Sequence, residues 1–217
     1  MAITTYAELK TAVASWLSRS NLTASIPDFI ALAESAVAYG VRSPNGGYLV
    51  EPLRVRAMET LVDITVNAQS VALPAGYLAS KRFYLNSDPK QALSFLSLTD
   101  FWSRYDVNVT GKPEYFTIEG ESLLFLPAPD TSYTGKMLYY KKPTAFSADG
   151  DTNTLLTNHA GLYLFGALAE AFAFVQDIEA ASGYQTRFAG VVNSLNASDT
   201  EDRHSGSVLQ IRTTDTV

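Results

Sequence analysis

Residues Leu162 to Val175, in the stretch GLYLFGALAEAFAFV, are apolar nearly all the way round a helix. A helix without a polar face must be covered on most sides, by the chain's own elements or by a neighbouring subunit. That requirement constrains the fold more than any other feature. The stretch is too short to span a bilayer and carries Glu170, so no membrane is expected as a partner. A carboxylate in such a helix calls for compensation. The expectation is a salt bridge to an arginine on another helix or subunit, the alternative being a functional group with an altered pKa.

The remaining elements supply the cover. Thr5-Tyr-Ala-Glu8 spells a capping box ahead of Leu9, Val13, Trp16 and Leu17 at helical spacing. Ser25-Ile-Pro-Asp28 repeats the device before Phe29, Ile30, Ala33 and Val37, and this second helix ends near Gly40. A loop, SPNGGYLVEP from Ser43 to Pro52, then introduces a different periodicity. Val62, Ile64 and Val66 alternate with polar residues as in a half-buried strand, and SVALP, KRFYL and QALSFL read as further strands. Ser97 to Asp100 caps a short helix carrying Leu98, Phe101, Trp102 and Tyr105. Phe116 to Leu126 form a hairpin turning at Glu119-Gly120-Glu121, and KMLYYKKP follows as another strand. A fourth helix is expected from Ser182 to Asn196, carrying Tyr184, Phe188, Val191, Val192 and Leu195, and the polar run NASDTEDRHSG ends it.

The expected class is therefore α+β, a four-helix module with an inserted antiparallel β region. In residue terms, 1–42 and 154–204 make the discontinuous helical module. Residues 43–153 make the β-rich insertion with its helix near 98–105, and 205–217 form an extended tail.

Several chemistries are excluded by what the chain lacks. There is no cysteine, hence no disulfide, thiolate nucleophile or thiolate metal site. His159 and His204 belong to no metal-ligand spacing and read as surface or cap residues, so neither metal nor cofactor is expected. Gly111-Lys112 lacks the first glycine of a phosphate loop and is followed by Pro113, while Gly135-Lys136 is followed by Met137 where a hydroxyl is needed. No G-x-S-x-G elbow is present. Glu119 and Glu121 flank a turn glycine and read as an exposed tip, not as carboxylates facing each other across a cleft. A net charge of -6 argues against gripping nucleic acid through its phosphates, although an acidic surface beside DNA lets it slide past. The aromatic run Phe101 to Tyr105 reads as core, with a sugar-stacking platform as the alternative. The N-terminus MAITTYAELK has neither the basic start nor the apolar run of a secretion signal, so the chain is expected not to be exported.

Several separated blocks agree in chain order with one family. TYAELKTAVASWLSRSNLTASIPDFIALAESAV, VRAMET, VALPAGYL, GKPEYFTIEGESLLFLPAPD, LYYKKP and LLTNHAGLYLFGALAEAFAF together resemble the head-to-tail adaptor proteins of tailed bacteriophages. Within these, the chain is similar to the tail tubular A proteins of short-tailed phages. In one place it departs from the pattern: SPNGGYLVEP stands before Leu53-Arg54-Val55-Arg56, where the family's second helix runs almost directly into that block.

The resemblance implies a structural virion protein, made in the cytoplasm of a host bacterium, and no enzyme. It implies a homo-oligomeric ring, of twelve copies, at the head–tail junction between the capsid portal protein and the tail nozzle or tail tube. DNA would pass through its channel during ejection. Two segments are then expected at interfaces: the apolar helix, through Glu170, Phe172 and Phe174, and the tail, through Val208, Leu209, Ile211 and Arg212. A carbohydrate- or receptor-binding tail module is the alternative, and a carboxylate-dependent hydrolase a more distant one.

Overall fold

A computed structural model describes residues 2–106 and 109–204. In chain order the elements are α1 (Tyr6–Leu17), a 3-10 turn (Ser20–Ser25), α2 (Ile26–Tyr39), β1 (Val41–Arg42) and β2 (Tyr48–Val50). There follow a 3-10 turn (Arg56–Met58), β3 (Glu59–Val66), β4 (Ser70–Ala72), β5 (Tyr77–Leu85), β6 (Gln91–Ala92), β7 (Ser94–Phe95) and α3 (Leu98–Arg104). Next come β8 (Thr110–Gly111), β9 (Tyr115–Glu119), β10 (Ser122–Leu126), β11 (Ala128–Pro129) and β12 (Tyr133–Lys141). The last elements are α4 (Thr154–Asn158), α5 (Ala160–Phe174) and α6 (Ile178–His204). The class is α+β. Two compact units result, one made of the residues up to Arg56 and from Ala145 onward, the other of Ala57–Thr144.

In the helical unit, α1 starts as its sequence dictates. The Thr5 hydroxyl accepts from the Glu8 N–H at 3.4 Å, and the Glu8 carboxylate accepts from the Thr4 and Thr5 N–H groups at 2.8 and 3.0 Å. Helix α2 starts differently from its spelling. The preceding 3-10 turn runs straight into it, so Ser25 already has helical dihedrals and its side chain caps nothing, while Pro27 does sit in the first turn. Gly40 ends α2 at φ 73°, and a Cβ there would lie 2.7 Å from the Val50 carbonyl oxygen, so both dihedral and space require glycine.

The expected loop from Ser43 to Pro52 is a hairpin: β1 pairs with β2 across a turn carrying Gly46 and Gly47 at positive φ. The chain then runs extended along α6. The Arg54 N–H donates to Asn196 Oδ1 at 2.9 Å and the Arg56 N–H to Asp199 Oδ1 at 2.7 Å, while Asn196 Nδ2 donates to the Pro52 carbonyl. These bonds place residues 43–56 with the helices, and the units divide after Arg56 and Thr144 where the sequence suggested 42 and 153. They also explain a second difference. Helix α6 does not end in the polar run after Asn196 but continues to His204, because Asn196 and Asp199 are the acceptors for this strap and Asp199 pairs with Arg203 one turn on.

Helix α5 is covered by α1, α2, α4 and α6. Leu162, Tyr163, Leu164, Gly166, Ala167, Leu168, Ala169 and Ala171 are all buried, which is how a helix apolar on nearly every side is accommodated. Gly166 faces Ala33 of α2 and the Phe188 ring of α6.

The β unit contains two four-stranded sheets with orders β4-β10-β9-β7 and β3-β12-β5-β6. All pairings in them are antiparallel except the short β7–β9 one, and β8 and β11 form a further two-residue parallel pair. Strand β12 does not extend the β9–β10 hairpin but sits between β3 and β5 in the other sheet. Phe83 packs edge-on against Phe116 and Phe125 at 5.3 and 5.6 Å within a core that includes Val66, Leu85, Leu123 and Met137. Alternation fails in β10 for a physical reason. Leu123 and Phe125 face that core, whereas Leu124 and Leu126 pack with Phe101 of α3, so both faces are buried. Gly120 turns the β9–β10 hairpin at φ 57° with Glu119 and Glu121 exposed beside it.

Candidate interaction surface

The glycine-lysine pairs have structural roles. Lys112 donates to Ser87 Oγ at 2.9 Å, Gly135 lies under the Phe83 ring, and Lys136 pairs with Asp63 at 2.7 Å. His159 is exposed at the junction of α4 and α5, its N–H closing α4 on the Leu155 carbonyl. Among the described residues no group of three His, Asp or Glu could hold a metal ion. No helix there is long and apolar enough to cross a membrane.

What the helical unit presents instead is unpartnered apolar surface with one carboxylate in it. Glu170 is half-buried on α5, and burial pushes its carboxyl above the ordinary carboxylate range. Within the chain the expected salt bridge does not form: Glu170 has no ion pair or hydrogen bond among the described residues. It lines a recess of about 100 Å³ together with Ala33, Ala36, Val50, Gln185 and Phe188.

Of its neighbours, Phe172 stacks on Tyr184 of α6 with centroids 5.2 Å apart. Phe174 touches Phe29 at 5.5 Å yet remains 61% exposed. Ile178, at the start of α6, is 71% exposed, and Leu32 and Leu49 are also exposed. The proposed tail contacts Val208, Leu209, Ile211 and Arg212 lie outside the described residues.

Helical spacing groups Trp16 with Leu9, Val13 and Leu17, but Tyr6, Leu9, Val13 and Leu17 fill the buried face of α1 and Trp16 is 47% exposed, 6.1 Å from Phe165 and 6.5 Å from Tyr184. The core reading of the second aromatic run also holds only in part. Phe101 is fully buried and the half-buried Tyr105 donates to Gln69 Oε1 at 3.0 Å, but Trp102 is 46% exposed and Phe95 is exposed as well.

No curated protein matches the chain. A family model, described as SU10 adaptor protein, matches residues 4–212, a span that runs through both units. By that match the chain belongs to the SU10 adaptor protein family, a family of structural phage adaptors.

Proposed function

We propose that the protein assembles as a ring of twelve copies at the head–tail junction, between the capsid portal and the tail nozzle or tail tube, and that DNA crosses its channel during ejection. The family match over residues 4–212 carries this reading. The exposed apolar side chains of the helical unit support it, since a subunit of a closed ring must leave surface for its neighbours to cover. The likeness to tail tubular A proteins belongs to the same reading. So do contacts through Glu170, Phe172, Phe174 and the segment Val208 to Arg212. A net charge of -6 suits a channel that does not hold DNA. In this reading the protein works by assembly and not by catalysis. The test is its mass by light scattering with and without purified portal particles. A fixed multiple of copies per portal is expected, and a chain indifferent to portals would overturn the proposal.

A second reading, a carbohydrate- or receptor-binding tail module, draws on the exposed Trp102 and Phe95 of the β unit. Binding to host-surface glycans that Trp102→Ala abolishes would favour it over the adaptor.

A further inference from the structure

The α5–α6 pair has two flanks of different chemistry. On α5, Phe165 and Phe172 fall on one stripe at i, i+7, and Gly166, Glu170 and Ala173 fall on the adjacent stripe at i, i+4, i+7. On α6 the same spacing groups Ala180, Tyr184 and Arg187 on one stripe and Ala181, Gln185 and Phe188 on the next. The packing follows this division. Phe165 and Tyr184 lie beside Trp16 of α1 and Phe172 stacks on Tyr184, whereas Gly166, Glu170, Gln185 and Phe188 line the recess with Ala33 and Ala36 of α2.

The first flank is aromatic and basic. The Arg187 guanidinium lies over the Tyr184 ring at 5.6 Å. Arg187 has no ion-pair partner among the described residues, although Lys10, Arg56 and Arg203 of the same unit are paired with Asp149, Asp202 and Asp199. The second flank is acidic and apolar. Glu170 sits without a partner at its recess, on elements that also carry the exposed Leu32, Leu49, Phe174 and Ile178.

We propose that these flanks are the two halves of one head-to-tail interface, the aromatic-basic flank of one copy seating on the Glu170 flank of the next. The inference rests on the ring reading and specifies its contact. A cyclic ring needs two different, mutually complementary patches on each subunit. An outside partner would account for one patch, whereas a second copy accounts for both: the acid lacking a cation, the arginine lacking an acid, and the apolar surface around each. Covering the recess desolvates Glu170 further, and an arginine arriving in the same step supplies the charge that this chain alone does not.

The test uses portal-bound assemblies and the absence of native cysteine. Glu170→Arg, and separately Arg187→Glu, are expected to weaken assembly about 30-fold or more, as loss of one partner of a desolvated charge pair does. Combining both changes in every copy restores it. In a second measurement, copies carrying Glu170→Cys are mixed with copies carrying Arg187→Cys at high concentration. Oxidation is expected to link unlike copies and to leave either variant alone unlinked. Wild-type copies on portals at a fixed multiple, with the charge variants equally bound and no mixed crosslink, would overturn this interface and leave the adaptor reading standing. Mixed crosslinks from a protein that ignores portals would uphold the interface and remove the adaptor reading. Failure of both measurements would remove both.

Discussion

Gly166 sits where α5 crosses α2, and its replacement by alanine reverses the usual effect of that change. In a helix interior Gly→Ala ordinarily stabilises by about 1 kcal/mol. An ideal Cβ on Gly166, however, lies 2.8 Å from the Cβ of Ala33, against 3.4–4 Å for an ordinary contact, and 3.4 Å from the Phe188 ring. Both Cβ atoms are fixed to helical backbone, so no side-chain rotation relieves the clash and the helices must part by several tenths of an ångström. Overpacking of this kind costs about 1–3 kcal/mol, which leaves Gly166→Ala destabilised by roughly 1 kcal/mol after the helix gain.

Gly183 and Gly190 of α6 provide the control, since a Cβ on either meets nothing within 4 Å. There the same change should stabilise by about 0.5–1 kcal/mol. Urea unfolding of the isolated chain, followed by circular dichroism, reads all three. Adding Ala33→Gly to Gly166→Ala removes the clash, so the pair should show a favourable coupling of about 1 kcal/mol or more. Stabilisation of Gly166→Ala to the same extent as Gly190→Ala would contradict the close α2–α5 packing.

Three further outcomes are expected. Gly135→Ala would place a Cβ 2.5 Å from the Phe83 ring in the inter-sheet core, so denaturant melts should show destabilisation of about 1–3 kcal/mol, and an unchanged midpoint would contradict that packing. The folded-state pKa of Glu170 lies above its unfolded value, so its ionisation opposes folding increasingly as pH rises through the carboxylate range; Glu170→Gln should therefore gain stability relative to wild type between pH 4 and 7. Glu8 and Asp151, held low by backbone N–H donors, act in the opposite sense in both proteins and cancel from that comparison, and parallel pH profiles would refute the assignment. Removal of residues 205–217 should weaken binding to portal particles in a co-sedimentation assay, and unchanged binding would rule out a docking role for the tail.

Local chemistry was readable where one segment decided the outcome. The Thr5–Glu8 box, the Ser97 cap on α3, the Gly120 hairpin and the all-round apolar α5 depend on neighbours a few residues away, and the structure reproduces each. The absence of a phosphate loop in both glycine-lysine pairs was legible for the same reason, because such a loop needs a contiguous spelling. The features that failed to read are those set by distant partners. Ser25 lost its cap to the preceding turn, residues 43–52 gained a hairpin, and α6 ran on to His204 because a strap from residues 52–56 bonds to Asn196 and Asp199.

The surface divided along the same line. Periodicity showed that Trp16 and Trp102 lie on helices bearing apolar residues, but exposure depends on which neighbours fill the face, and Leu9, Val13 and Leu17 take it in α1 as Phe101 does in α3. Glu170 was visible in the sequence as an ion in an apolar helix, whereas its want of a partner is a property of packing alone. Sequence by itself determined the α+β class, the helical ends with the β region between them, and the exclusion of thiol chemistry. Only the tertiary structure decided where the units divide, which strands share a sheet and which side chains stay uncovered, because each of these is settled by groups far apart in the chain that meet only when it folds.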